Sequence, residues 1–335
     1  MPDVVIRAEE DLGMPHLGPH ALGESQTLKL LAHLRWLSIE RLGGTPTSKI
    51  VDAEGRRLYA SVYFVEIAFP MSAPANAFRE NDRVVFQGDL ATYGRNILDG
   101  HYAVFRAGDP RAAEWGVPDP TSQGRFLEAG IPWFRISNIF IAQEAGPDRL
   151  KIAQPANMDF SKIRSLRDVP EGYELNRAAR DAGRFFDPPA GSLPAAPARI
   201  TLEKGVDPDR DVNAAGLVYY ANFPAFFDSA ERRALDSLGV PRAFADRRGT
   251  LRRRIGYFGN IRSDDAFRLT AECAISPEPV LAGTPPEVYG RMWFSVRAER
   301  ASDGALLAIT SAERLSRLHE KDDVDRWREC ARKLA

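Results

Sequence analysis

Residues 211–235 read DVNAAGLVYYANFPAFFDSAERRAL. Phe223, Phe226, Phe227, Ala230 and Ala234 recur at helical spacing, which predicts an amphipathic helix over 217–237. Three small residues, Ala214, Ala215 and Gly216, stand in front of it and let a ligand come close to the backbone where the helix begins. The unpaired N–H groups of such a start, around Gly216 and Leu217, are suited to holding an oxygen that gains negative charge. Asn213 lies just before them. An amide takes no proton at neutral pH and is a poor nucleophile, but it can donate a hydrogen bond. Asp211 sits two residues earlier in an extended lead, on the same face at a different depth.

The chain has 335 residues, long for one compact domain and suited to two of about 150 each. It is 44% hydrophobic and 27% charged, with a formal net charge of −1, and this balance argues against nucleic acid as the main partner. Its two cysteines, Cys273 and Cys330, show no metal-ligand spacing and fit a reducing cytoplasm. The opening MPDVVIRAEEDLGMPHLG has acidic residues early and no apolar core of signal-peptide length. No run approaches the ~20 apolar residues of a membrane span. The expectation is a cytoplasmic protein with no nucleic-acid or membrane partner.

The first half opens with an irregular lead and then GESQTLKLLAHLRWLSIERLGG (23–44). Leu28, Leu31, Leu34, Leu37 and Ile39 form a helical stripe that Gly43 and Gly44 stop. Four strand candidates follow: RLYASVYFVEIAFP, DRVVFQGDLATYG, RNILDGHYAVFRAG and PWFRISNIFIAQ. The Pro- and Ala-rich FFDPPAGSLPAAPAR (185–199) reads as a linker, which places the domains at 1–184 and 200–335. After it the pattern repeats. RITLEKG is a strand, the 217–237 helix follows, then the strands LRRRIGYFGNIR, AFRLTAECAIS, VYGRMWFSVRAER and ALLAITSAERLSR, and a charged helix KDDVDRWRECARKL. Two halves with one order of elements suggest a pseudo-duplicate. A long helix wrapped by an antiparallel sheet, twice over, is an α+β double hot-dog architecture.

The run D-x-x-x-x-G-x-x-Y leading into a helix resembles hot-dog thioesterases of the hydroxybenzoyl-CoA type, in which the residue three before the glycine is a catalytic aspartate. Here it is Asn213, so base-assisted hydrolysis lacks its agent. The same stretch, TLRRRIGYFGNIRSDDAFRL, and MPHLGPHALGESQTLKLLAHLRW together resemble a double hot-dog family of biosynthetic-cluster proteins. That family is typified by the bifunctional methylmalonyl-CoA acyltransferase/decarboxylase of leinamycin biosynthesis. The resemblance implies a phosphopantetheine thioester substrate, acyl-CoA and an acyl carrier protein as partners, and no metal or organic redox cofactor. It also implies a tyrosine in acyl transfer on the first strand after the first helix. Tyr63 is the best positional match and Tyr59 the alternative; with Ser61 they share one strand face.

In DRRGTLRRR (246–254) five arginines, among them Arg252 and Arg254, suit either the phosphates of coenzyme A, the acidic face of a carrier protein, or a solvated face. Gly259, in FGN (258–260), would allow a pantetheine arm close to the backbone.

No dinucleotide fingerprint, nucleophile elbow, Walker loop or zincin motif is present. A dehydratase would need a histidine in the first half and an acid on the second helix. His16 and His20 lack the glycine spacing of that family, while Asp228 and Glu231 supply acids. The function that the resemblance implies is acyl transfer from acyl-CoA to a carrier, by a monomer or homodimer, with decarboxylation of a malonyl-type group left open as an addition. Dehydratase, thioesterase and a non-catalytic carrier-binding protein are the alternatives.

Overall fold

The computed structural model describes residues 6–18, 21–116, 118–144, 150–194 and 199–334. Strand β1 (Ile6–Asp11) leads to helix α1 (Glu24–Gly43), then β2 (Leu58–Ala68), β3 (Arg83–Tyr93), β4 (Ile97–Arg106), β5 (Trp133–Gln143) and helix α2 (Glu171–Ala182). The order recurs with β6 (Ile200–Gly205), α3 (Phe223–Ser237), β7 (Arg248–Tyr257), β8 (Ala266–Ile275), β9 (Glu287–Arg300) and β10 (Leu306–Arg317). Helix α4 (Lys321–Leu334) closes the chain.

These strands form one sheet in the order β1-β3-β4-β5-β2-β7-β10-β9-β8-β6. Each half has the same internal order, and β2 and β7, the strands that follow the two long helices, meet antiparallel in the middle, with Glu66 opposite Arg254 and Phe64 opposite Gly256. The expected double hot-dog is what the chain forms. One apolar cluster spans both halves, joining Leu28 and Leu31 of α1 to Phe223, Phe226 and Phe227 of α3.

Helix α1 buries Leu28, Leu31, Arg35, Ser38, Ile39 and Leu42, a three-four spacing that faces its sheet. Leu37, expected on that stripe, is instead 52% exposed, and Leu34 is half-buried. Polar Arg35 and Ser38 hold the inward positions. Gly44, at φ +66°, ends the helix and donates its N–H to the Glu40 carbonyl.

Helix α3 starts at Phe223, not at Leu217. The Asn213 side chain accepts backbone N–H groups ahead of it, which competes with helix formation, and Pro224 suits only a first turn. Two of these labelled elements escaped the sequence reading. β1 (IRAEED) is a charged edge strand, and α2 buries only the small or polar Gly172, Asn176 and Ala179. The described part of the Pro-rich stretch lies against the sheet. Phe185 donates its N–H to Ser311 Oγ at 2.9 Å, and the Phe186 carbonyl accepts from Trp293 Nε1 at 3.2 Å. Residues 195–198 of that stretch lie outside the described residues. Among the described residues, no helix is long and apolar enough to cross a membrane.

Candidate active site

The loop before α3 is tied by its own polar groups. The Asn213 Oδ1 accepts the N–H groups of Ala215 (2.9 Å) and Leu217 (3.2 Å). The Asn213 carbonyl accepts from Gly216, at φ +72°, and the Leu217 carbonyl accepts from Asn213. Asn260, beyond β7, accepts the Val218 N–H at 3.1 Å, and Gln143 of β5 donates to the Ala215 carbonyl at 2.8 Å. The N–H groups of Gly216 and Leu217, expected to be free, are thus spent inside the turn. Among the described residues, the Asn213 Nδ2 and the Ala214 N–H have no acceptor. Once Oδ1 is engaged twice, the amide can offer only its donor side.

Asp211 is 2% exposed and acts as a clasp. Its carboxylate takes two hydrogen bonds from Arg210 at 2.8 Å and one from the Asp207 N–H. Burial works against its charge, but Arg210 and Asp207 outweigh it and hold the carboxyl below the ordinary range.

In the first half, β2 and β5 shift register between Val62 and Phe64, so Tyr63 is the extra residue of a β-bulge. Bulges re-aim side chains, and this one sets Tyr63 beside Phe64, under α2. The Tyr63 ring meets Tyr173 edge-on at 6.1 Å. Its hydroxyl is buried and, among the described residues, makes no hydrogen bond of good geometry, with the Ser137 side chain near it. Below it, Asp99 accepts from Arg135 (2.9 and 3.1 Å) and from Ser137 (2.5 Å), and lies 3.0 Å from His101 Nε2. Arg135 also reaches Glu171 at the start of α2, at 3.1 Å. Burial opposes the Asp99 charge, yet His101 and Arg135 hold its carboxyl well below the usual range. Burial, reinforced by the Asp99 charge, pushes the Tyr63 phenol well above the ordinary tyrosine value. Tyr63 is therefore a protonated donor at any physiological pH.

A cavity of about 1070 Å³ joins these parts, at the upper end of the range for small-molecule sites. Tyr59 and Tyr63 of β2, Asn213 and Leu217 of the loop, and Gly259 line it together. Asp211, Gly216, Arg252 and Arg254 do not. Arg254 pairs with Glu66 at 2.8 Å in the central ladder, and the Arg252 guanidinium stacks 3.9 Å from the Phe186 ring. Tyr219, Tyr220 and Tyr257 form an aromatic wall, with the Tyr220 hydroxyl donating to the Leu28 carbonyl at 3.1 Å. His33, Arg57, Arg177, Arg180 and Asp181 are its exposed charged or titratable residues.

The pseudo-equivalent place in the second half is filled. There β7 and β10 shift register between Thr250 and Arg252, which puts Leu251 at the bulge. Between α3, β7 and the start of α1, Arg253 and Arg314 are buried against Glu24, Asp228 and Glu231. Asp228 and Glu231, the acids a dehydratase would use, are ion-paired there. His16 accepts the Gly13 N–H through Nδ1 (3.1 Å), and His20 lies outside the described residues.

No family model and no curated protein matches the sequence. Solved structures do match, over nearly the whole chain. A putative oleoyl thioesterase from Lactobacillus plantarum aligns with TM-score 0.59 at 10% identity, over 95% of this chain and 97% of that one. The chain has the fold of double hot-dog thioesterases. A 12:0-ACP thioesterase from Umbellularia californica aligns with TM-score 0.53 at 12% identity, over 92% and 96% of the two chains. An acyl-ACP thioesterase from Bacteroides thetaiotaomicron gives 0.52 at 10%, over 92% and 97%.

Sequence reading missed Gln143, Asn260, the Ala214 N–H, and Asn138 and Asn176, which also line the cavity. These groups come from distant parts of the chain, and no local spacing marks them.

Proposed function

We propose that the protein acts on an acyl thioester borne by a phosphopantetheine arm and passes the acyl group to the thiol of an acyl carrier protein. The observation that carries this reading is Asn213: where the thioesterase pattern has a carboxylate, the loop presents an amide with only its N–H side available. The resemblance to the leinamycin-type family, the thioesterase fold and a cavity built from both halves support it. In the reaction the carrier sulfur attacks the thioester carbon. The carbonyl oxygen becomes an oxyanion, stabilised by donors among the Asn213 Nδ2, the Ala214 N–H and the Tyr63 hydroxyl. Collapse expels the coenzyme A thiolate, which takes the proton that the carrier thiol lost. The residues supply orientation and charge stabilisation, with no metal or organic cofactor assigned a step.

Hydrolysis is the second reading, favoured by the thioesterases that share the fold. His33 and Asp181 line the cavity and are the side chains that could serve a water. Incubation with acyl-CoA and a phosphopantetheinylated carrier, followed by intact mass and free-thiol release, separates the two. A carrier gaining the acyl mass supports transfer, and free acid without carrier acylation supports hydrolysis. No release with either acceptor leaves a carrier-binding role.

A further inference from the structure

The loop before α1 and the loop before α3 are counterparts in the repeat. Each closes on itself through an isolated antiparallel bridge, Leu17 with Leu22 in one and Val212 with Val218 in the other. The Leu22 N–H is held by the Ala75 carbonyl beyond β2 at 3.1 Å, as the Val218 N–H is held by Asn260 beyond β7. The α3 loop faces the central cavity, and the α1 loop, through Leu17, faces a separate recess of about 220 Å³. The two are built alike. Arg57, the residue before β2, lines the cavity, and Arg247, the residue before β7, lines the recess. The recess is thus the outer part of the second half-site, whose inner part holds Arg253 and Arg314 with their acids. It is smaller than the roughly 300–1,000 Å³ of sites that enclose a whole small molecule, and suits an ion or the end of a ligand.

Its walls are cationic. Arg79 beyond β2, Arg317 at the end of β10 and His319 join Arg247 there, with Glu80 as the acid. Arg247 is paired on one side with Asp323 at 2.8 Å, and Arg317 with Glu287. Among the described residues Arg79 has no carboxylate partner; its Nη1 donates to the Asn76 carbonyl and to the Phe78 carbonyl, the latter at 3.0 Å. These contacts engage Nη1 of Arg79 and Arg247 and Nη2 of Arg317, so each guanidinium keeps further N–H groups. Burial, and then the Arg79 charge, lower the Arg317 guanidinium below its ordinary value, a sign of like charges crowded together. Asn76, 2% exposed, ties the halves together beneath them by donating Nδ2 to the carbonyls of Arg247 (2.8 Å) and Leu315 (3.3 Å).

Planar guanidinium forks brought together from separate elements match the several oxygens of a phosphate group. We propose that the recess is a phosphate site distinct from the central cavity, in which Arg79 of the first half and Arg247 and Arg317 of the second hold one phosphate group between them. A free phosphate ion and a phosphate monoester present the same oxygens. Either one bridges the two halves, and so stabilises the folded chain by mass action.

The test adds inorganic phosphate to the whole protein at fixed ionic strength, with chloride as the control anion. Equilibrium dialysis of labelled phosphate reads binding, and the melting temperature reads stabilisation. Phosphate should bind saturably, one per chain, and raise the melting temperature where chloride does not. Arg79→Gln, at an exposed position, should weaken binding roughly 10-fold or more, as for loss of hydrogen bonds to a charged group, and Arg317→Gln should do the same. Arg79→Lys, which keeps the charge without the fork, should restore part of it. Arg57→Gln, at the corresponding place in the central cavity, should leave it unchanged. Circular dichroism checks that each variant is folded. 4′-Phosphopantetheine, compared with pantetheine and with free phosphate, tells the two sources apart: a monoester that displaces labelled phosphate and binds more tightly marks the end of an arm as the ligand, and equal or weaker binding marks the free ion. Absence of saturable phosphate binding, or binding that ignores Arg79→Gln and Arg317→Gln, overturns the proposal. Binding lost in Arg57→Gln alone assigns the phosphate to the central cavity and overturns it as well.

Discussion

At Asn213 one side chain does two jobs, and substitutions can separate them. A carboxylate at this position can accept the same Ala215 and Leu217 N–H groups, so Asn213→Asp should keep the turn and melt within a few degrees of the wild type. It removes the donor and supplies a base, so free acid should accumulate from acyl-CoA while carrier acylation falls; thiol release against carrier mass measures both. Asn213→Ala loses the donor and the turn together. Its turnover should drop roughly 10²-fold, with about 1–2 kcal/mol of stability lost in urea melts. Tyr63→Phe is cleaner. The hydroxyl it deletes is buried and makes no hydrogen bond of good geometry among the described residues, so stability should hold or rise slightly while turnover falls. Because burial keeps that phenol protonated, the wild-type rate profile should show no limb from Tyr63 below about pH 10. An ionisation near neutrality that vanishes in Tyr63→Phe would refute this assignment.

Among the elements, α2 forms one side of the cavity, with Tyr173, Asn176 and Arg177 lining it. It sits on the middle of the sheet through small residues: a Cβ at Gly172 would fall 2.6 Å from the Phe64 ring, and one at Gly256 would fall 1.9 Å from Asn176 Oδ1. Gly256→Ala should therefore push α2 outward, costing about 1–3 kcal/mol and raising KM for the thioester. Adding Asn176→Ala should return much of both, a coupling that a double-mutant cycle reads directly. The charged tether of the same helix gives a pH signature. Asp99 has its folded value depressed, so its contribution is present above the ordinary aspartate range near 4 and is lost as pH falls towards the folded value. The stability gap between wild type and Asp99→Asn, measured by denaturant melts, should close as pH drops from 5 to 2.

For the molecule as a whole, the repeat of helix and strands is symmetric and its use is not. One bulge bears Tyr63 over a cavity, and its counterpart bears Leu251, packed with Ala282, Tyr289 and Leu315, in the half where Arg253 and Arg314 are buried in an ionic cluster. Glu231, which is 0% exposed, lies at the centre of that cluster. Glu231→Ala leaves buried arginines short of a partner and should cost about 3–5 kcal/mol in unfolding free energy. Turnover per folded molecule should stay unchanged, since the cluster occupies the half-site without a cavity. A loss of activity beyond the loss of folded protein would show that the two half-sites are coupled.

Periodicity alone determined the two long helices, the eight strands that follow them and their duplication. Alternation and three-four spacing are local consequences of which face is buried, and each of those eight strands announces itself within about ten residues, whereas the charged edge strand β1 does not. The motif before α3 was legible as well, including the amide at Asn213. Where that helix starts was not, because the Asn213 side chain ties up the N–H groups that a helix reading leaves free. Nor could the arginine run be resolved. Arg253 is buried against carboxylates on α1 and α3, whereas Arg252 stacks on Phe186, and consecutive residues face opposite sides of a sheet whose partners lie far along the chain. Tyr63 of the first half and Asn213 of the second share a cavity because β2 and β7 zip together at the pseudo-symmetry axis. That meeting is a non-local event, and only the tertiary structure decides it.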